Sequence, residues 1–422
     1  MPLLSLLARL HALRMRATGG RGAGFPAAAL LPDSISDALR REGLDPVVGA
    51  AGEGGSEPIV SVAKWFGVNA WLVTGRDEVK AVLSQADAFS NDFSRLVEQA
   101  GVDAGRNPGG LGFTDPPDHT RLRRLLTPEF TLRRLVRLAP VIDEIIETRL
   151  DAMAGAAGPV DLVQSFALPL PALTLCELLG VPHAGRAEFQ KLSMARFDAS
   201  DGPDGILGAT SSSMTELVEL VRQQRVSPGN GLIGMLVREH GDEIDDRELA
   251  GLVDGVLIGG LETTASMLAL GTLILLQDPE TCRRIRDGQI SVDGPVEELL
   301  RYLSVVQVAF PRFARRHIVI SGVRIARGDL VLCSLSAANR DGSYGPGAGE
   351  FDPARHVPAH LAFGHGIHRC IGAELARMEL RAAYPALLRR FPAMRLAIEP
   401  EEAAFRELSI VYGLRSLPVF LT

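Results

Sequence analysis

The stretch from Phe363 to Gly372 reads FGHGIHRCIG and places one thiol, Cys370, in a loop spaced by glycines. A helical pattern follows it as far as Arg390, so Cys370 is expected close to a helix N-terminus. Free backbone N–H groups, the helix dipole and the neighbouring His368 and Arg369 all favour thiolate over thiol at such a position. The stretch therefore predicts an activated cysteine that is either a nucleophile or a metal ligand.

Taken alone, Cys370 is also compatible with an inert core thiol or with a zinc site. A lone cysteine is most often an inert core thiol, although Gly364, Gly366 and Gly372 indicate a backbone that turns sharply or approaches something closely. Zinc is the second alternative, because four histidines lie nearby: His356, His360, His365 and His368. Their spacing does not repeat a structural-zinc pattern, and no second cysteine pairs with Cys370.

Composition narrows the class of protein. The 422 residues are 46% hydrophobic and 23% charged, which is typical of a soluble globular chain with a large core. The formal net charge of -7 argues against nucleic-acid binding. Four scattered cysteines argue against a disulfide framework and favour a reducing, cytoplasmic location. Residues 1–15 are too short to span a bilayer and are expected to form a tail or a surface helix.

The pattern along the chain predicts a mainly α protein with a smaller β-rich part, organised as one domain over residues 1–422. Residues 1 to about 55 form a loosely structured lead-in. Two strands are expected between Ile59 and Thr74, a helix from Arg76, a loop over Leu96–Phe113, and helices from Asp115 to Leu276 broken by prolines and glycines. Then come a helix at Val296–Tyr302, strands between His317 and Leu335, an irregular segment over Asn339–His360, and a strand-like C-terminus over Leu408–Leu421.

The most apolar segment, Leu249–Leu276, contains Asp254 and Glu262 and lacks aromatic belts, so it reads as a buried central helix and not as a transmembrane segment. Within it, Glu262 and Thr263 place an acid beside an alcohol. A buried carboxylate is costly without partners, so the pair is either a satisfied core contact, a helix distortion or a proton relay. Gly259 and Gly260 leave the helix without side chains beside this pair.

Three further patterns consist of charged or basic side chains. Glu298 and Arg301 lie three residues apart on one helix face and can pair, at the surface or in the core. His119 and Arg123 lie one helical turn apart and face the same side. Arg312 follows shortly after the Glu298 helix.

Taken together, these segments resemble the cytochrome P450 family of heme-thiolate monooxygenases. The signature of that family reads Phe, small residue, x, Gly, x, His or Arg, x, Cys, x, Gly, and the stretch around Cys370 meets every fixed position. The resemblance implies the P450 fold, with heme b (iron protoporphyrin IX) between the long central helix and the Cys-loop helix. It makes Cys370 the axial iron ligand, with Phe363, Gly364 and Gly372 around it.

The resemblance also assigns roles to the remaining patterns. Glu262 and Thr263 become the proton relay, with Gly259 at a position where alanine is usual and Gly260 beside it. Glu298 and Arg301 become a structural pair completed by Arg355. The heme propionates are expected to meet four residues: His119, Arg123, Arg312 and His368.

The activity implied is insertion of one oxygen atom from O2 into a bulky, mostly apolar molecule, by hydroxylation or epoxidation. The chain is most similar to soluble bacterial members that tailor actinobacterial secondary metabolites, and a polyketide or macrolide is the first expectation, before a terpenoid, a steroid or a fatty acid. The pocket is expected to include five residues: Val256, Val305, Phe310, Val411 and Tyr412. Two alternatives are a peroxide-driven peroxygenase and a non-catalytic scaffold.

Electrons are expected from ferredoxin and ferredoxin reductase, with NAD(P)H as the source. An acidic ferredoxin would dock near Cys370, where five arginines offer positive charge: Arg369, Arg377, Arg381, Arg389 and Arg390.

Overall fold

A computed structural model describes residues 40–47, 57–65, 68–92, 111–182, 202–356, 359–406 and 409–422. The expected lead-in therefore lies largely outside the described residues. Its residues 40–47 are an exception, because they form a hairpin anchored by Arg41. The Arg41 guanidinium donates to Gln307 Oε1 at 2.8 Å and to the Ser304 carbonyl at 3.0 Å. This part of the lead-in is ordered, since its arginine finds acceptors in the body of the protein.

Helices make up most of the described chain. They are α1 (Arg76–Ser84), α2 (Asp118–Leu126), α3 (Leu132–Leu135), α4 (Ala139–Ala154), α5 (Pro169–Leu179), α6 (Gly202–Val226), α7 (Leu232–His240), α8 (Asp246–Leu275), α9 (Pro279–Arg286), α10 (Asp293–Leu303), α11 (Leu335–Ala338) and α12 (Ala373–Arg390). Short 3₁₀ turns at Leu111–Phe113 and Gly366–His368 lie close to the predicted site. The predicted mainly α class is confirmed.

The strands are short and belong to small sheets. They are β1 (Arg41–Glu42), β2 (Asp45–Pro46), β3 (Ile59–Trp65), β4 (Val68–Val73), β5 (Phe89–Ser90), β6 (Val160–Asp161), β7 (Arg312–Ala314), β8 (Ile318–Ile320), β9 (Val323–Ile325), β10 (Leu330–Cys333), β11 (Arg395–Leu396) and β12 (Pro418–Phe420). The largest sheet has the order β3-β4-β10-β7-β5, and β11-β12-β6 forms another. Strand β10 runs parallel to β4, with Leu330 opposite Ala70, so residues far apart in sequence meet there.

The central helix α8 organises the core. Asp245 caps its N-terminus by accepting a hydrogen bond from the Glu248 N–H, and twenty of its residues are buried. Helices α5, α6 and α12 pack around it. It is long and apolar enough to cross a membrane, but 72% of its most apolar window is buried inside the protein. Its apolar composition is therefore explained by burial of most of the helix inside the protein, as the sequence predicted.

Most predicted elements lie where the pattern placed them, including the two strands before Thr74 and the helix from Asp118. The proline pair at Pro169 and Pro171 begins α5 and does not separate helices, because proline is tolerated in the first turn. The strand-like C-terminus is shorter than expected. Within its described residues the pairing is limited to β12 and isolated bridges at Val411 and Leu414.

Candidate functional site

The loop that carries Cys370 is folded by its glycines. Gly364 and Gly366 have φ values of +69° and +72°, which residues with a side chain rarely adopt. A Cβ at Gly366 would also collide with the Leu83 carbonyl of α1, so the loop lies directly against that helix. The Cys370 N–H donates to the Phe363 carbonyl at 2.8 Å and closes the loop. These contacts hold the sulfur just before the start of α12.

The pKa of Cys370 corrects the expectation of a lowered value. Burial raises the pKa of the thiol, and the Gly372 N–H together with Arg123 and Arg369 opposes this rise only in part. By accessible area the residue counts as exposed, although protein atoms surround the sulfur. The two observations agree if Cys370 borders an internal cleft. The helix terminus alone does not produce a thiolate here, whereas coordination of a metal ion would.

Four basic side chains from three segments converge near this loop. His119 and Arg123 come from α2, Arg312 from β7 and His368 from the 3₁₀ turn. The His119 and His368 rings have centroids 4.3 Å apart. His119 is buried, and neither of its ring nitrogens has a hydrogen-bond partner within the described ranges. Donors gathered in this way need an acceptor with negative charge.

The electrostatics of this cluster support the same conclusion. Burial, followed by the charges of His119, Arg312 and Arg123, lowers the pKa of His368 to about 3, while Asp115 acts in the opposite direction. Burial also lowers the pKa of Arg312 and of Arg123. At neutral pH the positive charge of this cluster comes from Arg123 and Arg312, and burial makes that charge costly, so a ligand that carries carboxylates would relieve the cost. The residues present therefore fit the two propionates of a heme beside Cys370.

Zinc fits less well. Within the residues that the structure describes, no group of three or more His, Cys, Asp or Glu side chains is placed to hold a metal ion. Structural zinc requires about four protein ligands. Cys370 and its basic neighbours instead suit a metal that has one protein ligand and is carried by an anionic organic group.

The acid and the alcohol of α8 have different partners. The Thr263 hydroxyl donates to the Gly259 carbonyl at 2.6 Å. The Glu262 carboxylate accepts from Arg406, whose second nitrogen donates to Ser266. Burial raises the pKa of Glu262, and the charge and hydrogen bond of Arg406 oppose this rise. Any proton relay between Glu262 and Thr263 thus requires a rearrangement or a bridging water.

The adjacent glycines Gly259 and Gly260 of α8 have different surroundings. A Cβ at Gly259 would meet no atom within 4 Å, so this position borders open space. A Cβ at Gly260 would press against the Leu175 side chain at 3.1 Å, so this glycine allows α5 to approach α8. The absence of a side chain therefore leaves open space at Gly259 and allows close helix packing at Gly260.

Glu298 and Arg301 form a fully buried pair. The Arg301 Nε and Nη2 atoms donate to the two carboxylate oxygens, both at 2.7 Å. The same guanidinium donates to the carbonyls of Asn339, Ala348 and Glu350. Arg355 Nε donates to Glu298 at 3.2 Å. The network fixes the irregular segment that precedes the Cys370 loop, and it resolves the choice between surface and core in favour of the core.

The five predicted pocket residues fall into two groups. Val256, Phe310 and Val411 keep accessible surface, and Phe310 packs edge to face against Phe113 with centroids 4.8 Å apart. Val305 and Tyr412 are buried. The Tyr412 hydroxyl donates to the Gly43 carbonyl, and its ring stacks on Phe405. These two contacts fix the position of the Tyr412 side chain.

The arginines near Cys370 are less free than expected. Arg377 pairs with Glu297 and Glu374, and Arg381 pairs with Asp293. Arg390 pairs with Asp151. Arg369 and Arg389 remain exposed. The positive charge that these side chains offer to a partner is therefore partly neutralised by acids of the same protein.

Sequence reasoning missed Arg406 and Ser266, whereas Phe113 ends the Leu96–Phe113 loop that was expected to contribute to the pocket. No local pattern links Arg406 to Glu262, because 144 positions separate them. Ser266 lies one turn after Glu262 on α8, and that spacing was the one available signal.

Comparison with known proteins shows which family this chain belongs to. A family model described as Cytochrome P450 matches residues 211–401. Cytochrome P450-SU2 of Streptomyces griseolus is 39% identical over 395 residues, which cover 92% of this chain and 97% of that protein. Mycinamicin IV hydroxylase/epoxidase of Micromonospora griseorubida is 37% identical over 86% of this chain and 92% of its own length.

Solved structures agree in fold. The crystal structure of OxyC, a cytochrome P450 implicated in an oxidative C–C coupling reaction during vancomycin biosynthesis, superposes with a TM-score of 0.81. It is 36% identical in sequence, and the match covers 90% of this chain and 96% of that chain.

Proposed function

Because the chain belongs to the cytochrome P450 family, we propose that Cys370 is the axial ligand of a heme b group that lies between α8 and the loop before α12. The protein is a P450 monooxygenase of the kind found in antibiotic and secondary-metabolite biosynthesis. When bound, the heme supplies activation of O2 for transfer of one oxygen atom to the substrate. We assign residues 1–422 to one P450 domain.

The observation that carries the site assignment is the convergence of largely buried hydrogen-bond donors, two of them guanidinium groups, beside one thiol. His119 and His368 stack, and both ring nitrogens of His119 lack partners among the described residues. Arg123 and Arg312 add two guanidinium groups to the same cluster. These four side chains would hold the propionates, and the Gly372 N–H would donate to the ligand sulfur.

The remaining site residues would act on protons and on the substrate. Thr263 stays on the accessible face of α8 with its hydroxyl bonded to Gly259, where it can orient a proton donor. Glu262 would supply protons from the far side of the helix. Val256, Phe310 and Val411 offer apolar surface to the substrate. Phe113 extends this apolar wall beside Phe310.

For the substrate we propose a bulky, mostly apolar secondary metabolite, with a macrolide or other polyketide as the first class to test. The similarity to a hydroxylase/epoxidase named for mycinamicin IV supports this class. The similarity to OxyC favours a second candidate reaction, an oxidative C–C coupling. Turnover under ¹⁸O2 separates the two, because oxygen insertion labels the product and coupling does not.

Bacterial P450s generally receive electrons from a ferredoxin and its reductase. We propose the same route here, with NAD(P)H as the electron source, in the cytoplasm. Docking would use the exposed Arg369 beside Cys370, since Arg377, Arg381 and Arg390 are already paired and the exposed Arg389 lies in the last turn of α12. Turnover with hydrogen peroxide but not with ferredoxin and NAD(P)H would favour the peroxygenase alternative.

The assignment of Cys370 is tested by Cys370→Ser, with Cys282→Ser as the matched control. The Cys282 sulfur donates to the Leu275 carbonyl at 3.0 Å, far along the chain from the loop. We expect the Cys282 variant to keep the shifted Soret band of a ferrous–CO thiolate complex and the Cys370 variant to lose it. An unchanged band in Cys370→Ser would refute the assignment. Compounds that convert the ferric heme from low to high spin then identify substrate candidates.

A further inference from the structure

The cation that holds Glu262 comes from the C-terminal part of the chain. Arg406 Nη1 donates to Glu262 Oε1, and Nη2 donates to Ser266 Oγ at 2.6 Å. Both charged side chains are mostly buried, with 23% and 15% of their surfaces exposed. The Arg406 Nε atom is buried and has no hydrogen-bond partner among the described residues. Arg406 is thus committed to one acid and one alcohol of α8, at the cost of an unsatisfied donor.

The backbone around Arg406 holds this side chain against α8. The Arg406 N–H donates to the Gly413 carbonyl at 2.9 Å, and Phe405 pairs with Leu414 across the same turn. A Cβ at Gly413 would collide with the Arg406 guanidinium and with Ser266 Oγ. Glycine at this position therefore leaves the space through which the guanidinium reaches Glu262. An arginine on a free surface loop would need no such space.

Glu262 and Thr263 consequently act on different sides of α8. Ser266 lies one turn after Glu262 and shares its side, whereas Thr263 bonds back to Gly259 on another. An ionised carboxylate held by Arg406 has no proton to give. Before it can serve a relay, it must take a proton from solvent and leave the guanidinium.

We propose that Arg406 is a positioning residue that keeps Glu262 ionised and turned away from Thr263, so that a proton passes through the acid only when this ion pair opens. The proposal rests on the function proposed above. The proton balance is simple: the carboxylate gains one proton from water, passes one toward the Thr263 hydroxyl and returns to its ion pair with Arg406.

The charges around Glu262 support this assignment. Burial raises the pKa of Glu262, and Arg406 opposes the rise through its charge and its hydrogen bond. Arg406 is the one charged group of the described residues that contributes to this pKa, and Ser266 is the neutral group beside it on α8. Removing Arg406 therefore leaves burial unopposed, so the acid keeps its proton to higher pH.

The test uses the resting ferric holoenzyme, without turnover. Three variants are compared with the wild type: Arg406→Gln, Arg406→Lys and the control Arg415→Gln, which changes an exposed arginine near the same turn. Infrared spectroscopy follows the carboxyl band that disappears in Glu262→Gln. We expect the ratio of protonated to ionised Glu262 at neutral pH to rise at least about tenfold in Arg406→Gln, the change expected for the loss of one charge-assisted hydrogen bond. Lysine should restore most of the wild-type titration, and Arg415→Gln should leave it unchanged.

A second measurement connects the titration to function. With ferredoxin, its reductase and NAD(P)H but no substrate, we expect the pH profile of hydrogen peroxide release to move in the same direction in Arg406→Gln as the infrared titration. An infrared titration equal to that of the wild type would overturn the proposal, as would a shift that lysine fails to reverse. Failure of the proposed function is distinguishable, because it would appear in the wild type as a missing thiolate–CO band.

Discussion

Two pairs with the same sequence spacing and the same geometry allow a direct test of what burial does to an ion pair. Glu298 and Arg301 on α10 form two bonds of 2.7 Å, and Glu280 and Arg283 on α9 form bonds of 2.7 and 2.9 Å. The first pair is fully buried, while the side chains of the second are 64% and 41% exposed. The substitutions Glu298→Gln and Glu280→Gln remove the same charge from each.

The structure sets the size of the effect. In Glu298→Gln the Arg301 guanidinium keeps its bonds to three backbone carbonyls but loses the carboxylate that pairs with it, so the charge of a buried cation is no longer balanced there. Breaking a buried pair in this way costs about 3–5 kcal/mol. Arg355 and the Asp352 N–H lose the same carboxylate, so the segment before the Cys370 loop is also loosened. In Glu280→Gln water replaces the lost contact, and no measurable change is expected.

The assay is urea unfolding of the holoenzyme at neutral pH, followed by far-ultraviolet circular dichroism and by loss of the Soret band. We expect a large drop in the free energy of unfolding for Glu298→Gln and wild-type behaviour for Glu280→Gln. The Soret band of Glu298→Gln should disappear at lower urea than the helical signal, since the loop that carries Cys370 loses its support. Equal costs for the two variants would refute the reasoning, because burial would then be irrelevant.

Buried groups elsewhere in the protein lead to three more predictions. Burial raises the pKa of Glu379 from 4.5 to about 8, so stability should fall by about 3 kcal/mol as pH rises from about 4.5 to 7, and urea titrations at both pH values should show no such fall in Glu379→Gln. A Cβ at Gly271 would collide with the Tyr384 hydroxyl, so Gly271→Ala should cost about 1–3 kcal/mol and Tyr384→Phe should recover part of it in a double-mutant cycle. Gly259→Ala, the same change on the same helix in open space, should not destabilise the fold, and thermal melting compares the two. Arg312→Ala should release heme to apomyoglobin about tenfold faster, the loss of one charge-assisted hydrogen bond.

The family and its ligand set were predictable from local spacing. The Cys370 stretch, the Glu262–Thr263 pair and Glu298-x-x-Arg301 are each complete within about ten residues, so the sequence shows them without any knowledge of the fold. The class of enzyme and the heme cofactor followed from the resemblance that these segments carry, and comparison with known P450s confirms both. The roles of the individual residues remain predictions for the experiments above.

Expectations that depend on how segments pack were the ones that failed. The helix terminus predicted a lowered pKa for Cys370, but burial by the surrounding chain outweighs it. The contacts of Tyr412 with Gly43 and Phe405 were not visible in the sequence, and its place in the pocket remains a prediction. Arg377 was expected to offer positive charge, but Glu297 comes from α10 to pair with it. In each case the deciding neighbour is distant in sequence.

By itself, the sequence determined which chemical groups are available and how neighbours on one helix or loop are spaced, because helical geometry and glycine conformations are local properties. Tertiary structure decided what those groups experience. The Glu-x-x-Arg motifs of α9 and α10 are identical as patterns, yet packing buries the one on α10 and leaves the one on α9 in water. Likewise, Glu262 acquires its cation from a segment 144 positions away. Solvation and long-range charge depend on the whole fold, and they set the behaviour of this site.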